Sequence, residues 1–255
     1  MSSSAPASTS HHDASTEPTL YGTTEKISRI RATIARRMME SLHGSAQLTA
    51  TVEVDLSSIS ALRAKEKESF RAREGVGLSY LPFIVRAAVE ALQEYPKLNA
   101  TIDFEAGLIR YSEAEHIGIA VDTPRGLLVP VIRDAGQRTV TDLARQIGDL
   151  AARAQAGRTG AAELSGGTFT VTNYGSVGTL MDTPIVNHPQ VAILGTGALV
   201  RRPVVVRDPE FGETIAIRDM MYLSLSYDHQ LVDGADAARF LSHVKQRLES
   251  GELSL

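Results

Sequence analysis

Two stretches of this 255-residue chain carry side chains that could do chemistry together. Residues 223–234 (LSLSYDHQLVDG) alternate apolar and small polar side chains, then reach His229 and, four positions later, Asp233-Gly234. A histidine placed where a strand gives way to a turn is held by backbone on both sides, which suits a general base near neutral pH. The same residues have a plainer reading, in which Asp233 N-caps the next helix and His229 is a loop residue. The second stretch, residues 166–175 (GGTFTVTNYG), reads as a strand running into a Gly-bounded turn that presents Thr172 and Asn173. A histidine with a Ser or Thr hydroxyl suits acyl transfer in which the substrate brings its own nucleophile. The imidazole would deprotonate a thiol or alcohol, and the hydroxyl would hydrogen-bond the tetrahedral oxyanion. On residue types alone this is one of several options.

Other chemistries lack their residues. There is no GxxxxGK[ST] phosphate loop and no GxGxxG opening a helix after a strand, and residues 175–178 (GSVG) miss the spacing of a GxSxG nucleophile elbow. His229 and Asp233 with no third ligand nearby are weak evidence for a metal, so none is expected. The other histidines read as structural or peripheral: His188 before Pro189 in a turn, His116 at a strand start, His43 at a helix end, His243 facing solvent, and His11-His12 in a tail. The absence of cysteine removes disulfides, thiolate catalysis and Cys-based zinc sites, and fits a reducing cytoplasm. A net charge of −4, no Trp and 5% aromatics argue against nucleic acid. No apolar run approaches the ~18–20 residues of a membrane span. With 43% hydrophobic and 22% charged residues, the chain has the makings of a soluble domain with a substantial core.

The elements that must position these residues follow from periodicity. Residues 1–20 are Ser-, Ala-, Thr- and Pro-rich and read as disordered linker, giving a boundary near residue 22 and one domain over 23–255. Ile27, Ile30, Ile34, Met38 and Leu42 recur at helical spacing up to Gly44. Residues 47–55 alternate as a strand. A helix capped by Asp55 or Ser57 follows, carrying Ile59, Leu62, Lys65 and Phe70. Residues 81–92 (LPFIVRAAVEAL) are apolar on most faces, so that helix should be buried. A hairpin of strands around 103–105 and 108–111 is expected across Ala106-Gly107, then strands at 116–121 and 127–132 and a helix over 139–154. Further strands are expected at 166–175, 191–194, 203–206, 215–217 and 221–227, with a last helix over 235–248. Strands following one another without helices predict mixed α/β with a mixed sheet.

The motif at residues 226–234 (SYDHQLVDG) resembles the DHRxxDG signature of 2-oxo acid dehydrogenase E2 acyltransferase domains, whose HxxxDG core is shared with chloramphenicol acetyltransferase. Three more blocks match in the family's order. They are Ile30-Arg31 with residues 34–38 (IARRM), residues 121–132 (VDTPRGLLVPVI), and residues 166–175 continuing through 183–187 (TPIVN) to 192–195 (AILG). The likeness runs from about residue 23 to 248.

This resemblance implies a chloramphenicol-acetyltransferase-like mixed-sheet fold that forms trimers, with the active site between subunits. His229 of one subunit would face Thr172 of its neighbour across a channel entered by coenzyme A at one end and a lipoyl arm at the other. His229 would take the proton from the attacking thiol, Thr172 would hydrogen-bond the oxyanion, and Asp233 would hold local geometry. Asp122, Arg63 and Asn173 fall in blocks that approach the substrates. The implied activity is transfer of an acetyl group from S-acetyldihydrolipoyl to coenzyme A in the core of a pyruvate dehydrogenase complex. Branched-chain acyl or succinyl transfer is the alternative, because a methylene or two alters pocket discrimination by only ~1–3 kcal/mol. A stand-alone acetyltransferase and a silent oligomeric scaffold are the readings of other classes. The implied partners are lipoyl domains, E1 and E3, and the homotrimer could build a larger cubic assembly, with residues 251–255 as candidate contacts. Three features depart from type. Gln230 replaces the family's Arg, Ala46-Gln47-Leu48-Thr49 replaces Pro-His-x-Thr in the manner of actinobacterial members, and the lipoyl and subunit-binding domains are not in this chain.

Overall fold

The structure, a computed structural model, describes residues 21–255. Residues 1–20 of the expected linker, with His11 and His12, lie outside them. In chain order the elements are α1 (Arg29–Gly44), β1 (Gln47–Asp55), α2 (Ser57–Glu74), α3 (Leu81–Glu94), β2 (Ala100–Asp103), β3 (Leu108–Tyr111), β4 (Ile117–Ile119), β5 (Val131–Ile132), α4 (Val140–Gln155), β6 (Phe169–Asn173), β7 (Ala192–Thr196), β8 (Val200–Asp208), β9 (Gly212–Asp228) and α5 (Gly234–Glu249).

Seven strands form one mixed sheet in the order β1-β9-β7-β6-β4-β5, with β8 on β9, and β2 and β3 pair separately. β4, β6 and β7 run parallel, whereas β9 is antiparallel to β7, β1 and β8. The expected strands 215–217 and 221–227 are one strand of 17 residues. Its first half pairs with β8, and its second half lies between β1 and β7. Alternation within residues 212–219 marks a two-stranded arm with one exposed side, and the buried run from Met220 marks its entry into the sheet.

Period-two alternation separates the sheet's faces. Phe169, Val171, Leu194, Leu223 and Leu225 are buried on the helical side, where Phe169 meets Phe240 of α5 at 5.8 Å between ring centroids. Nine of the 14 residues of α3 are buried, which makes it the central helix of the core as its composition requires. The opposite face is lined by hydroxyls. Thr49 bonds Ser226 at 2.8 Å and Thr51 bonds Ser224 at 3.1 Å across the β1–β9 pair. Such cross-strand pairs fix register at ~0.2–1 kcal/mol each.

Four local expectations are corrected. β2 begins at Ala100 rather than Asp103, because Ala100 is buried and pairs with Tyr111. Strand 127–132 shrinks to β5 with a single bridge from Val121 to Leu128, since Pro124 and Gly126 hold residues 122–126 as a turn. Leu56 occupies the N-cap of α2, while Ser57 inside the helix accepts the Asp219 N–H. His243 is half-buried, edge-on to Tyr95 at 6.1 Å. The apolar stripe of α1 stays largely uncovered within the chain: Ile30 and Leu42 are exposed, and its one buried residue is Ser41. Residues 251–255 fold back, with Leu253 buried in the chain's own core.

Candidate active site

His229 is the first residue after β9, and its side chain is exposed. Its backbone is tied down. The His229 N–H donates to Ala46 O at 2.8 Å. Asp228, nearly fully buried, accepts the N–H groups of Ala46 and Gln230 on Oδ1, both at 3.0 Å. Gln230 Nε2 donates to Gly44 O at 2.9 Å and approaches Asp228 Oδ2 at 3.4 Å. A neutral amide thus stands where the resembled signature carries arginine, and it binds the C-terminal end of α1 rather than forming an ion pair. Gln47, the other departure, works on the same helix end. Its carbonyl accepts Val186 N–H at 3.0 Å, and its amide donates to the hydroxyls of Ser41 and Ser45 at 2.9 Å each.

Asp233 sits at the N-cap position of α5, but its carboxylate makes no cap hydrogen bond; its carbonyl accepts the Ala237 N–H at 3.0 Å. The plain capping reading is therefore right about position and wrong about the side chain. The negative charge of Asp233 adds to that of Asp236, whose carboxylate holds Lys97 at 2.9 Å and raises the lysine's pKa, chiefly through that hydrogen bond.

Thr172 belongs to β6 and is half-buried in the hydroxyl face. It stands beside Gly195 of β7, which stands beside Ser224 of β9. Tyr174 curls over this row: a Cβ added to Gly195 would lie 2.5 Å from Tyr174 Cε1. Burial raises the pKa of the Tyr174 phenol, keeping it protonated. Asn173 is exposed, and its side-chain oxygen accepts the Ser176 N–H at 3.2 Å.

Within one chain Thr172 and His229 are far apart. Two strand spacings of ~4.8 Å and five residues of ~3.3 Å separate them, roughly 19 Å in all. No single substrate carbonyl spans that gap. Asp122 is exposed at the start of the 122–126 turn, which the Thr123 hydroxyl closes by donating to Gly126 O at 2.6 Å.

Arg63 lies elsewhere, on α2, in an open cleft of about 520 Å³ that it shares with Lys67, Tyr80, Arg201 and Asp219. Its guanidinium stacks 3.8 Å above the Tyr80 ring, and its Nε donates to Leu78 O at 2.7 Å, so the cation is fixed in place. Three cations against one carboxylate give this cleft a net positive lining, which suits an anion. Tyr80 also lines a second cleft of about 180 Å³ that reaches Asn173, Ser176 and Gly197. The structure therefore joins Arg63 to Asn173 through Tyr80, and so to the Thr172 end of the sheet, while leaving His229 and Asp233 at the other end. Sequence reasoning missed Lys67, Tyr80, Arg201 and Tyr174 and assigned Asp228 no role. Lys67 follows Arg63 by one helical turn and could have been flagged from spacing. Among the described residues no cluster of His, Asp or Glu is arranged to hold a metal ion, and no helix is long and apolar enough to cross a membrane.

Comparison with known proteins covers the whole described chain. The family model for 2-oxoacid dehydrogenases acyltransferase (catalytic domain) matches residues 21–255. The dihydrolipoyllysine-residue acetyltransferase component of the pyruvate dehydrogenase complex of Mycobacterium bovis is 54% identical over 91% of this chain, which spans 42% of that protein. The dihydrolipoyllysine-residue succinyltransferase component of the 2-oxoglutarate dehydrogenase complex of Rickettsia bellii is 43% identical over 89% of the chain and 55% of its own length. A crystal structure of a probable dihydrolipoamide acetyltransferase from Listeria monocytogenes superposes with a TM-score of 0.86 at 37% identity, covering 92% of this chain and 98% of that one. The cubic core of a pyruvate dehydrogenase multienzyme complex superposes at 0.82 and 34% identity, covering 91% and 93%.

Proposed function

The chain belongs to the 2-oxoacid dehydrogenase acyltransferase family as its catalytic domain, and from that premise we propose that it moves an acetyl group from S-acetyldihydrolipoyl to coenzyme A in a pyruvate dehydrogenase complex. The acetyl assignment rests on 54% identity to an acetyltransferase relative against 43% to a succinyltransferase one. Residues 23–255 are the catalytic domain in this reading. The lipoyl group arrives on a separate lipoyl domain, and E1 and E3 supply and reset it.

One observation carries the mechanism: Thr172 and His229 stand at opposite ends of one sheet, too far apart to share a substrate within a chain. A site made of His229 from one subunit and Thr172 from the next resolves this. The likeness to a cubic core and the uncovered apolar stripe of α1 both support a multimer. Coenzyme A would lay its phosphates in the Arg63, Lys67 and Arg201 cleft and run its thiol arm past Tyr80 and Asn173 to Thr172. Imidazole of His229 takes the thiol proton, and the sulfur attacks the acetyl carbonyl. The Thr172 hydroxyl donates to the resulting oxyanion, where one fixed donor is worth ~10²–10³ in rate. Collapse breaks the carbon–sulfur bond to dihydrolipoyl, whose departing thiolate takes the proton back from imidazolium. Acetyl-CoA and free dihydrolipoyl result, with atoms and charge balanced. Asp233 stands at the edge of this site through its backbone at the start of α5, and Asp122 opens the turn that Thr123 closes.

Mixing tests the shared site. Thr172→Ala and His229→Ala chains are each impaired, but dissociated, mixed in equal amounts and reassembled they regain intact pairs at about a quarter of the sites of a cyclic trimer. Recovery of roughly that share of activity is the expected result. Mixed oligomers with no recovery would place the whole site within one chain and overturn the proposal.

A further inference from the structure

The mechanism leaves Tyr174 unused, yet its ring occupies the row that holds Thr172. Thr172, Gly195 and Ser224 lie side by side on β6, β7 and β9, so side chains at all three would leave the same face about 4.8 Å apart. Gly195 has none. The Cβ position there lies 2.5 Å from Tyr174 Cε1 and 2.9 Å from its hydroxyl oxygen, so the ring fills the slot between Thr172 and Ser224. The hydroxyl is buried without a well-formed hydrogen bond, and its side-chain polar neighbour is the fully buried Ser224. The rest of the residue stays partly accessible. On the other flank, in line with Thr172, stands Ala120, whose N–H donates to Val171 O at 3.0 Å. The space around the Thr172 hydroxyl therefore has a low wall of one methyl group and a high wall of an aromatic ring.

An acyl carbonyl that accepts from Thr172 must place its first alkyl carbon beside these two walls. We propose that Tyr174 sets the acyl-size limit of the site, its ring over Gly195 leaving room for acetyl and excluding branched acyl groups. The inference rests on the acyl-transfer reading above and names the group that makes it selective. Tyr174 is a specificity residue here, acting by shape.

The test measures kcat/KM of the assembled protein with coenzyme A and two donors, S-acetyl- and S-isobutyryl-dihydrolipoamide. One or two carbons in an apolar pocket change discrimination by about 10- to 200-fold. Tyr174→Ala should therefore raise the isobutyryl-to-acetyl ratio at least ~10-fold. Tyr174→Phe keeps the ring and should keep the ratio. Tyr174→Leu, which still plugs the face, should raise it less and serves if the alanine variant does not assemble. An unchanged ratio in either small variant, including a parallel loss toward both donors, overturns the proposal and makes Tyr174 structural. Thr172→Ala run beside them separates the two layers. If it keeps full activity, the acyl-transfer site itself is misplaced; if it loses activity while the Tyr174 ratios stay flat, only the specificity assignment falls.

Discussion

Thr172 and His229 lie at opposite ends of the sheet, and each is immobilised by different means. Thr172 is on an interior strand with parallel partners on both sides, so the lattice of β4, β6 and β7 fixes its backbone. His229 is outside the sheet, in an exposed turn, and holds its place through Ala46, Asp228 and Gln230. An oxyanion donor must already point correctly when charge develops, which favours a strand. A base has to accept a proton and return it within one turnover, which an exposed turn permits. The difference is one of redundancy. Several strands would have to move to displace Thr172, whereas the turn of His229 depends on one buried carboxylate and a few hydrogen bonds.

Removing the groups themselves should have the largest effects. His229→Ala deletes the proposed base, and turnover should fall by ~10²–10⁴ with the state of assembly unchanged, as steady-state kinetics and a mass measurement together would establish. Full activity would dismiss His229 from the chemistry. Thr172→Ala should cost roughly 10²-fold in kcat, and Thr172→Ser, which keeps a hydroxyl on the same rigid strand, should recover most of it. Equal losses in both variants would mean that the threonine methyl rather than the hydroxyl matters, and the site would lose its oxyanion donor.

The same contrast explains how much could be read from the sequence. His229, Asp233 and Thr172 sit in contiguous stretches whose residue types carry their own signal, and strand alternation placed Thr172 on a strand and His229 just past one. The mixed sheet followed from strands succeeding one another without helices. What stayed hidden was made by residues distant in sequence. Arg63 and Tyr80 are 17 positions apart and meet only because the connection after α2 turns back and lays Tyr80, ahead of α3, against Ser60 and Arg63. Tyr174 reaches Gly195 only because β6 and β7 are neighbours. The unbroken β9 was hidden for another reason: its first half is a half-exposed arm and its second half is buried, so one strand carries two periodicities. The carboxylate of Asp233 makes no cap bond although its backbone sits at the N-cap, a distinction that residue type does not encode.

The smallest predicted effect tests the turn rather than the chemistry. Gln230 is exposed, and its amide ties the His229 turn to Gly44 O at 2.9 Å. A neutral hydrogen bond contributes about 0.5–1.5 kcal/mol net, so Gln230→Ala should lower kcat by at most about tenfold. Because the α1–β1 loop is remote from the cationic cleft, KM for coenzyme A should hold. The backbone contacts through Ala46 and Asp228 remain in this variant, which is why the loss stays partial. A drop comparable to that of His229→Ala would mean that Gln230 itself contacts the reacting groups. No drop at all would mean that Asp228 and Ala46 suffice and that the amide is neutral here.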